Sequence, residues 1–225
     1  MESSKEAILV GATGLIGNSL LEQLLHEQVY SKVVVIVRRQ LSRTHPKLTQ
    51  IVTDFDDLEA HADEIKGDVV FCALGTTKSK TPDPEQYRKI DYQYPLDIAR
   101  IAQQNGATQY HLVSSIGADP SSSIFYSRLK GEVERDLQKV PFKSIHIYRP
   151  SLLDGDRKEH RTAEGFMTGF MRIINPLLIG GLKKYRSIKA KKVASAMIKQ
   201  SLIKHSPGDP FSPFIYPSDQ IEALS

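Results

Sequence analysis

Apolar residues follow two rhythms along this chain. Short, β-branched-rich runs occur at residues 7–10, 33–37, 51–52, 69–74, 111–113 and 145–148, and none alternates with polar positions. Strands buried on both faces of a parallel sheet have this appearance. Between the runs the spacing turns helical. Leu15, Ile16, Leu20, Leu21, Leu24 and Leu25 recur on one face, as do Tyr94, Ile98, Ile101 and Ala102, with Asn105-Gly106 as a stop signal. A further helix is expected from residue 124 to about 137, closed by Pro141. The alternation of strand and helix predicts an α/β fold with a doubly wound parallel sheet.

The rhythm fails after Arg149-Pro150. Residues 151–165 are polar and loop-like. In residues 166–179, Met167, Phe170, Met171, Ile174, Leu177 and Leu178 lie at helical spacing, limited or kinked by Pro176. Another helix is expected over residues 193–203 and a short strand over 214–216. The expected organisation is a sheet domain over residues 1–150 and a small C-terminal lobe over 151–225, within one structural domain.

Composition narrows the class. The 225 residues are 40% hydrophobic and 25% charged, an ordinary globular balance. Thirty Lys+Arg against 26 Asp+Glu leave a net charge of +4, which suits an anionic ligand but is weak evidence for nucleic acid. The nearly apolar stretch at residues 173–182 is far short of the ~20 residues a membrane span needs. No basic segment precedes the first apolar run, so no secretory signal is expected and a cytoplasmic location is the default. The single cysteine, Cys72, excludes an internal disulfide framework and a Cys-based zinc site, and reads as an inert buried thiol.

The first strand runs straight into Gly11-Ala-Thr-Gly14-Leu-Ile-Gly17 and then a leucine-rich helix. Gly11 permits a tight turn, Gly14 lets backbone approach a pyrophosphate, and Gly17 lets the helix pack close to the strand. The helix N-terminus offers free N–H groups to an anion. The second strand ends in Arg38-Arg39, where an NAD site expects an acid for the ribose 2′-OH. Arginine accommodates a 2′-phosphate instead, so NADP(H) is the expected cofactor. Asp54, after the third strand, is placed to accept from the adenine amino group or to cap the helix that follows it. The fourth strand ends at Leu74-Gly75-Thr76-Thr77, and Gly75 would let backbone pass close to the ribose or nicotinamide.

After the fifth strand come Ser114-Ser115 and, on the next helix, Tyr126 and Lys130. Positions i and i+4 share a helix face. A lysine ammonium beside a phenol favours the phenolate, so Tyr126 can exchange a proton with a substrate oxygen. A serine hydroxyl would hold that oxygen.

With these segments in view, the sequence resembles the short-chain dehydrogenase/reductase superfamily. More narrowly, it is similar to the atypical subgroup of Tat-interacting-protein-like oxidoreductases. The matching segments are VGATGLIGNSLL, VVVIVRR, VFCALGTTKSK, LVSSIGADPSSSIFYSRLKGEVE and YRPSLLDGDRKEHR, over roughly residues 6–161. The resemblance implies a Rossmann sheet whose C-terminal lobe completes the substrate site. It also implies cofactor contacts from Thr13, Gly14, Leu15, Ile16, Arg38, Arg39, Leu74, Gly75, Tyr126, Lys130, Leu153 and Arg161.

Two departures from the superfamily pattern stand out. Ser115 precedes Tyr126 by only 11 residues, so the loop IGADPSSSIF must hold the serine differently. Ser114 is the alternative, and Ser121, Ser122 and Ser123 are candidate helix caps. Many members carry an Asn near the catalytic lysine; here the corresponding stretch is Lys89-Ile-Asp91-Tyr, in which Asp91 either substitutes or is exposed.

Other chemistries lack their signatures. The seven histidines show no HxxH, HxH or HExxH spacing, and neither a Walker motif nor a GxSxG elbow is present, so no metal is expected. The expected activity is NADPH-dependent reduction of a small carbonyl, with Tyr126 as proton donor, Ser115 holding the oxygen and Lys130 tuning Tyr126. The rivals are a nucleotide-sugar epimerase or dehydratase and an NADPH-binding redox sensor without turnover. The expected partner is a small-molecule carbonyl substrate, with no nucleic acid and no membrane span, and a homodimer left open.

Overall fold

The six apolar runs are strands β1 (Lys5–Val10), β2 (Tyr30–Val37), β3 (Leu48–Val52), β4 (Val69–Cys72), β5 (Gln109–Val113) and β6 (Ser144–Arg149). The structure is a computed structural model that describes residues 4–154, 178, 180–203 and 213–225. The non-alternating pattern has a direct cause. Ile8 and Val10 enter one core while Ala7 and Leu9 enter the other, and Val34 and Ile36 are divided from Val33, Val35 and Val37 in the same way. With helices on both faces, every position of a central strand is buried.

The first core packs against α3 (Tyr94–Gln104) and α4 (Phe125–Leu137) through Ile98, Ile101, Ala102, Val133 and Leu137. The second packs against α1 (Leu15–His26) through Leu20, Leu21 and Leu24. The chain before α3 adds two elements that periodicity did not indicate. These are a five-residue helix α2 (Pro84–Arg88), capped by Asp83, and a π-helical turn over Lys89–Gln93 that runs directly into α3.

Beyond β6, β7 (Leu153–Asp154) and β8 (Ile188–Lys189) form a separate two-residue pair. Next come α5 (Ala190–Ser201), β9 (Phe214–Pro217) and α6 (Ser218–Leu224). The described part of this region packs directly on the sheet and its helices. Val193, Ala194 and Met197 of α5 bury themselves in the second core against α1, and β9 pairs with β6. The apolar stripe of α5 needs cover, and the open flank of α1 supplies it. The helix expected over residues 166–178 lies outside the described residues apart from Leu178.

Among the described residues the main sheet has seven strands in the order β3-β2-β1-β4-β5-β6-β9, all parallel. The order reverses between β1 and β4, so the loops leaving these two strands open a crevice at their carboxyl ends. Open α/β sheets bind ligands at such a switch point. His111 and His146 face each other in register across β5 and β6, with ring centroids 4.4 Å apart. Their Nδ1 atoms hydrogen-bond the hydroxyls of Tyr148 and Tyr216 at 3.1 and 3.0 Å. No helix among the described residues is long and apolar enough to cross a membrane.

Candidate active site

The glycine turn after β1 shows three different demands. Gly11 has φ +83°, and a Cβ there would lie 2.4 Å from the carbonyl oxygen of Ala73, so the turn admits only glycine. A Cβ on Gly17 would lie 1.9 Å from the Gly11 oxygen, because α1 rests directly on the turn. Gly14 is different: its nearest neighbour would be the Gly11 oxygen at 3.4 Å, so the protein's own packing leaves that side open. α1 begins without a side-chain cap and without an acidic residue in its first turn. Its unpaired N–H groups and dipole favour an anion there. Thr13 is exposed and Leu15 half-buried at this edge, whereas the Ile16 side chain is buried in the core, leaving only its backbone to face a ligand.

Arg38 and Arg39 follow β2 directly, are exposed, and form no ion pair among the described residues. The Asp54 carboxylate accepts from the N–H of Asp56 at 3.3 Å and caps the 3-10 helix Phe55–Glu64. The capping role weighed for it is therefore realised. Leu74 is half-buried against the first core and Gly75 is exposed. Cys72 lies inside β4, and burial pushes its thiol pKa up, which keeps it inert as expected.

α4 carries the reactive stripe. Tyr126 is 40% exposed, while Lys130 one turn later is 5% exposed. The Lys130 ammonium forms an ion pair with Asp91 at 2.8 Å. Burial opposes that charge, but Asp91 and Tyr126 together outweigh it and raise Lys130 above the ordinary lysine value. Asp91 sits in the π-helical turn and is buried, not exposed; its other oxygen accepts from the N–H of Thr76 at 2.8 Å. A Cβ on Gly75 would come within 3.5 Å of the Asp91 carboxylate and 3.7 Å of Lys130 Nζ. The loop after β4 therefore passes directly over the pair.

The two strand-five serines separate cleanly. The Ser114 hydroxyl donates to Glu134, two turns beyond Tyr126 on the same helix face, and Glu134 also holds Arg149 of β6 in an ion pair. The Ser115 hydroxyl is buried, with the residue 8% exposed, and it has no hydrogen-bond partner among the described residues. The short loop holds it by folding back onto α4. Asp119 N–H bonds the Ser127 carbonyl at 3.0 Å and Ile116 N–H bonds the Pro150 carbonyl at 3.0 Å. Gly131 makes this approach possible, since a Cβ there would meet Pro120 N at 2.1 Å. The serines at 121–123 do not cap α4, whose N-cap is Ile124. Instead Ser121 bonds Asp119 and Ser122 accepts from Ile124 N–H, shaping the turn ahead of the helix. Leu153 lies in β7, half-buried against the second core, and Arg161 lies outside the described residues.

The crevice thus combines an uncapped helix start, open space at Gly14 and two exposed arginines, a set that suits the phosphates of a dinucleotide. A family model described as NAD(P)H-binding matches residues 11–200. The chain belongs to this NAD(P)H-binding family. It is 37% identical over 165 residues to the Rattus norvegicus protein HTATIP2, covering 72% of this chain and 68% of that one. It is 33% identical over 203 residues to the Aspergillus niger protein named fmp52, mitochondrial, covering 85% and 86%. Among solved structures, a short chain dehydrogenase family protein from Francisella tularensis superposes with TM-score 0.67 at 15% identity, covering 97% of this chain and 99% of that one. A UDP-N-acetylglucosamine 4-epimerase from Methanobrevibacter ruminantium superposes with TM-score 0.69 at 17% identity, covering 96% and 77%. At these identities the superpositions speak for the fold alone. The chain is an NAD(P)H-binding protein with a Rossmann-like fold, related to HTATIP2 and the fmp52 proteins.

Sequence reasoning missed Thr76, Glu134 and Arg149, and left Asp91 undecided. Glu134 was discoverable, because Tyr126, Lys130 and Glu134 fall at i, i+4 and i+8 on one stripe. Thr76 acts through its backbone N–H, which no side-chain pattern reveals.

Proposed function

We propose that the protein is an NADP(H)-dependent oxidoreductase that reduces a small carbonyl, with Tyr126 as the proton donor. The observation that carries this reading is the contrast at the end of β5: the Ser114 hydroxyl donates to Glu134, while the Ser115 hydroxyl is buried and has no partner among the described residues. A buried hydroxyl without a partner is costly and calls for an occupant that accepts its hydrogen bond. A substrate carbonyl oxygen meets that need.

When bound, the nicotinamide supplies the hydride that the carbonyl carbon accepts. Ser115 Oγ holds the carbonyl oxygen. Tyr126 gives its phenolic proton to that oxygen as the negative charge develops. The charged Lys130 stabilises the phenolate left behind, and Arg38 and Arg39 favour a cofactor carrying the 2′-phosphate. The glycine turn and the start of α1 would hold the pyrophosphate, with Leu74 and Gly75 alongside the ribose.

NADPH oxidation monitored against a panel of aldehydes, ketones and quinones tests the proposal. Turnover of any of these that is abolished in Tyr126→Phe supports it. Tight NADPH binding with no turnover across the panel overturns it in favour of a redox sensor. The nucleotide-sugar reading draws on the fold of the structural neighbours, and UDP-sugar conversion monitored in parallel decides it. The expected cytoplasmic location stands against the word mitochondrial in the names of the fungal relatives. Fractionation of the full-length protein into the mitochondrial pellet would overturn it.

A further inference from the structure

Two buried donors at the carboxyl edge of the sheet lack an acceptor among the described residues. One is the Ser115 hydroxyl. The other is Nε of Arg186, which is covered by protein and makes no hydrogen bond. Arg186 is half-buried, and its guanidinium forms no ion pair among the described residues. The backbone around it is well anchored. The Arg186 carbonyl accepts from Ser151 Oγ, and Ile188 N–H bonds the Leu152 carbonyl at 3.0 Å. Ser151 and Leu152 leave the carboxyl end of β6, and Pro150 just before them accepts from Ile116, the residue after Ser115. A short chain of hydrogen bonds therefore ties the Arg186 segment to the Ser115 loop. The glycine turn is remote from both, since it follows β1, and β4 and β5 stand between β1 and β6.

We propose that Arg186 receives a carboxylate or phosphate group of the substrate, so that the protein reduces a carbonyl compound bearing an anion and Arg186 sets that preference. The inference rests on the proposed carbonyl reduction and names its substrate class. The chemistry of the orphan donor selects the ligand. Nε–H and the adjacent Nη–H of a guanidinium point in parallel, and two oxygens of a carboxylate or phosphate meet both at once. A neutral acceptor would satisfy the N–H but leave the half-buried charge without a counter-charge. The surroundings agree in sign. Residues 180–203 contain no Asp or Glu, and Lys183, Lys184, Lys189, Lys191 and Lys192 flank Arg186 along the chain. Of the nearby carboxylates, Glu222 of α6 pairs with Lys192, and Asp154 stands opposite Lys189 in the β7–β8 register. A field of one sign raises the local concentration of an anionic substrate.

The test compares matched carbonyls in NADPH oxidation: pyruvate, acetoacetate and laevulinate, each against its methyl ester, and glyceraldehyde phosphate against glyceraldehyde. The native protein should favour at least one charged member over its neutral partner by about ten-fold or more in kcat/KM, and the arm that responds separates carboxylate from phosphate. In Arg186→Met that preference should fall by ~10–100-fold, through KM rather than kcat, the usual scale for losing a hydrogen bond between charged groups. NADPH affinity should stay within a few-fold of native. Folding should persist, because the side chain gives up no partner and the bond from Ser151 goes to the backbone carbonyl. A native preference for the neutral members, an equal loss on both members of a pair, or a loss of NADPH affinity would overturn the proposal. If Arg186→Met does not fold, Arg186→Lys carries the test: it keeps the charge but not the fork, and an unchanged preference overturns the idea while a reduced one supports it. If the native protein reduces no carbonyl, the proposed reaction fails, and binding decides Arg186. The NADP-saturated protein is then melted with each charged compound: a rise in melting temperature that the Arg186 variant lacks supports the anion site, and no rise, or one the variant keeps, overturns it.

Discussion

The paired serines at the end of β5 give the sharpest test, because one structural fact predicts opposite outcomes for neighbouring residues. Ser114→Ala removes a buried hydrogen bond to the Glu134 carboxylate. A hydrogen bond to a charged group contributes about 1.5–3 kcal/mol, so the variant should lose that much stability. For a chain of 225 residues, each kcal/mol corresponds to roughly 2–4 °C, which places the drop at about 3–12 °C. Arg149 still holds Glu134, so the fold should survive and turnover should change little. Ser115→Ala removes a buried hydroxyl that has no partner among the described residues. An unsatisfied buried polar group costs ~1–3 kcal/mol, so its loss should leave melting unchanged or slightly raised. Turnover is where this variant should suffer, by ~10²–10³-fold, the usual effect of losing one donor to a developing oxyanion. Differential scanning calorimetry and NADPH oxidation on both variants read the two axes. Equal destabilisation of the two variants, or a turnover loss confined to Ser114→Ala, would refute the reasoning.

Further expectations concern the rest of the crevice. Tyr126→Phe should keep its melting temperature, since the side chain is 40% exposed, and should lose turnover by ~10²–10⁴-fold; kinetics within a few-fold of native would remove it from the mechanism. Arg38→Ala combined with Arg39→Ala should weaken NADPH by about 1.5–3 kcal/mol in calorimetry and leave NADH nearly untouched, and tighter native binding of NADH would contradict the 2′-phosphate role. Gly17→Ala forces a methyl to 1.9 Å from the Gly11 oxygen, so α1 must shift from the turn; stability should fall by ~1–3 kcal/mol and cofactor affinity with it, and native-like titrations would show that the turn is more yielding than its geometry suggests.

Local sequence determined a great deal here, because the signals involved are short-range. Five of the six non-alternating apolar runs identified strands covered on both sides, since a sheet between two helix layers buries consecutive residues; the sixth, in β3, lies at the sheet edge with Val52 exposed. The glycines at 11 and 17 announced a turn with a helix resting on it, as backbone sterics act within a few residues. The i, i+4 relation of Tyr126 and Lys130 followed from helix geometry alone. Other features depended on contacts between distant segments. Residues 151–225 read as a small appended lobe within the same domain because the chain after Arg149 loses its rhythm; where it packs is visible only in the folded structure, with α5 covering α1 and β9 extending the sheet beyond β6. Ser114 and Ser115 are chemically identical in sequence, and they differ because Glu134, 20 residues later, reaches one of them. Asp91 and Lys130 lie far apart along the chain and became partners when the π-helical turn brought a carboxylate into a buried pocket that held one lysine. Local patterns record steric and periodic constraints, whereas the charge states and spare hydrogen-bonding capacity that make a site reactive arise from the packing of elements against one another.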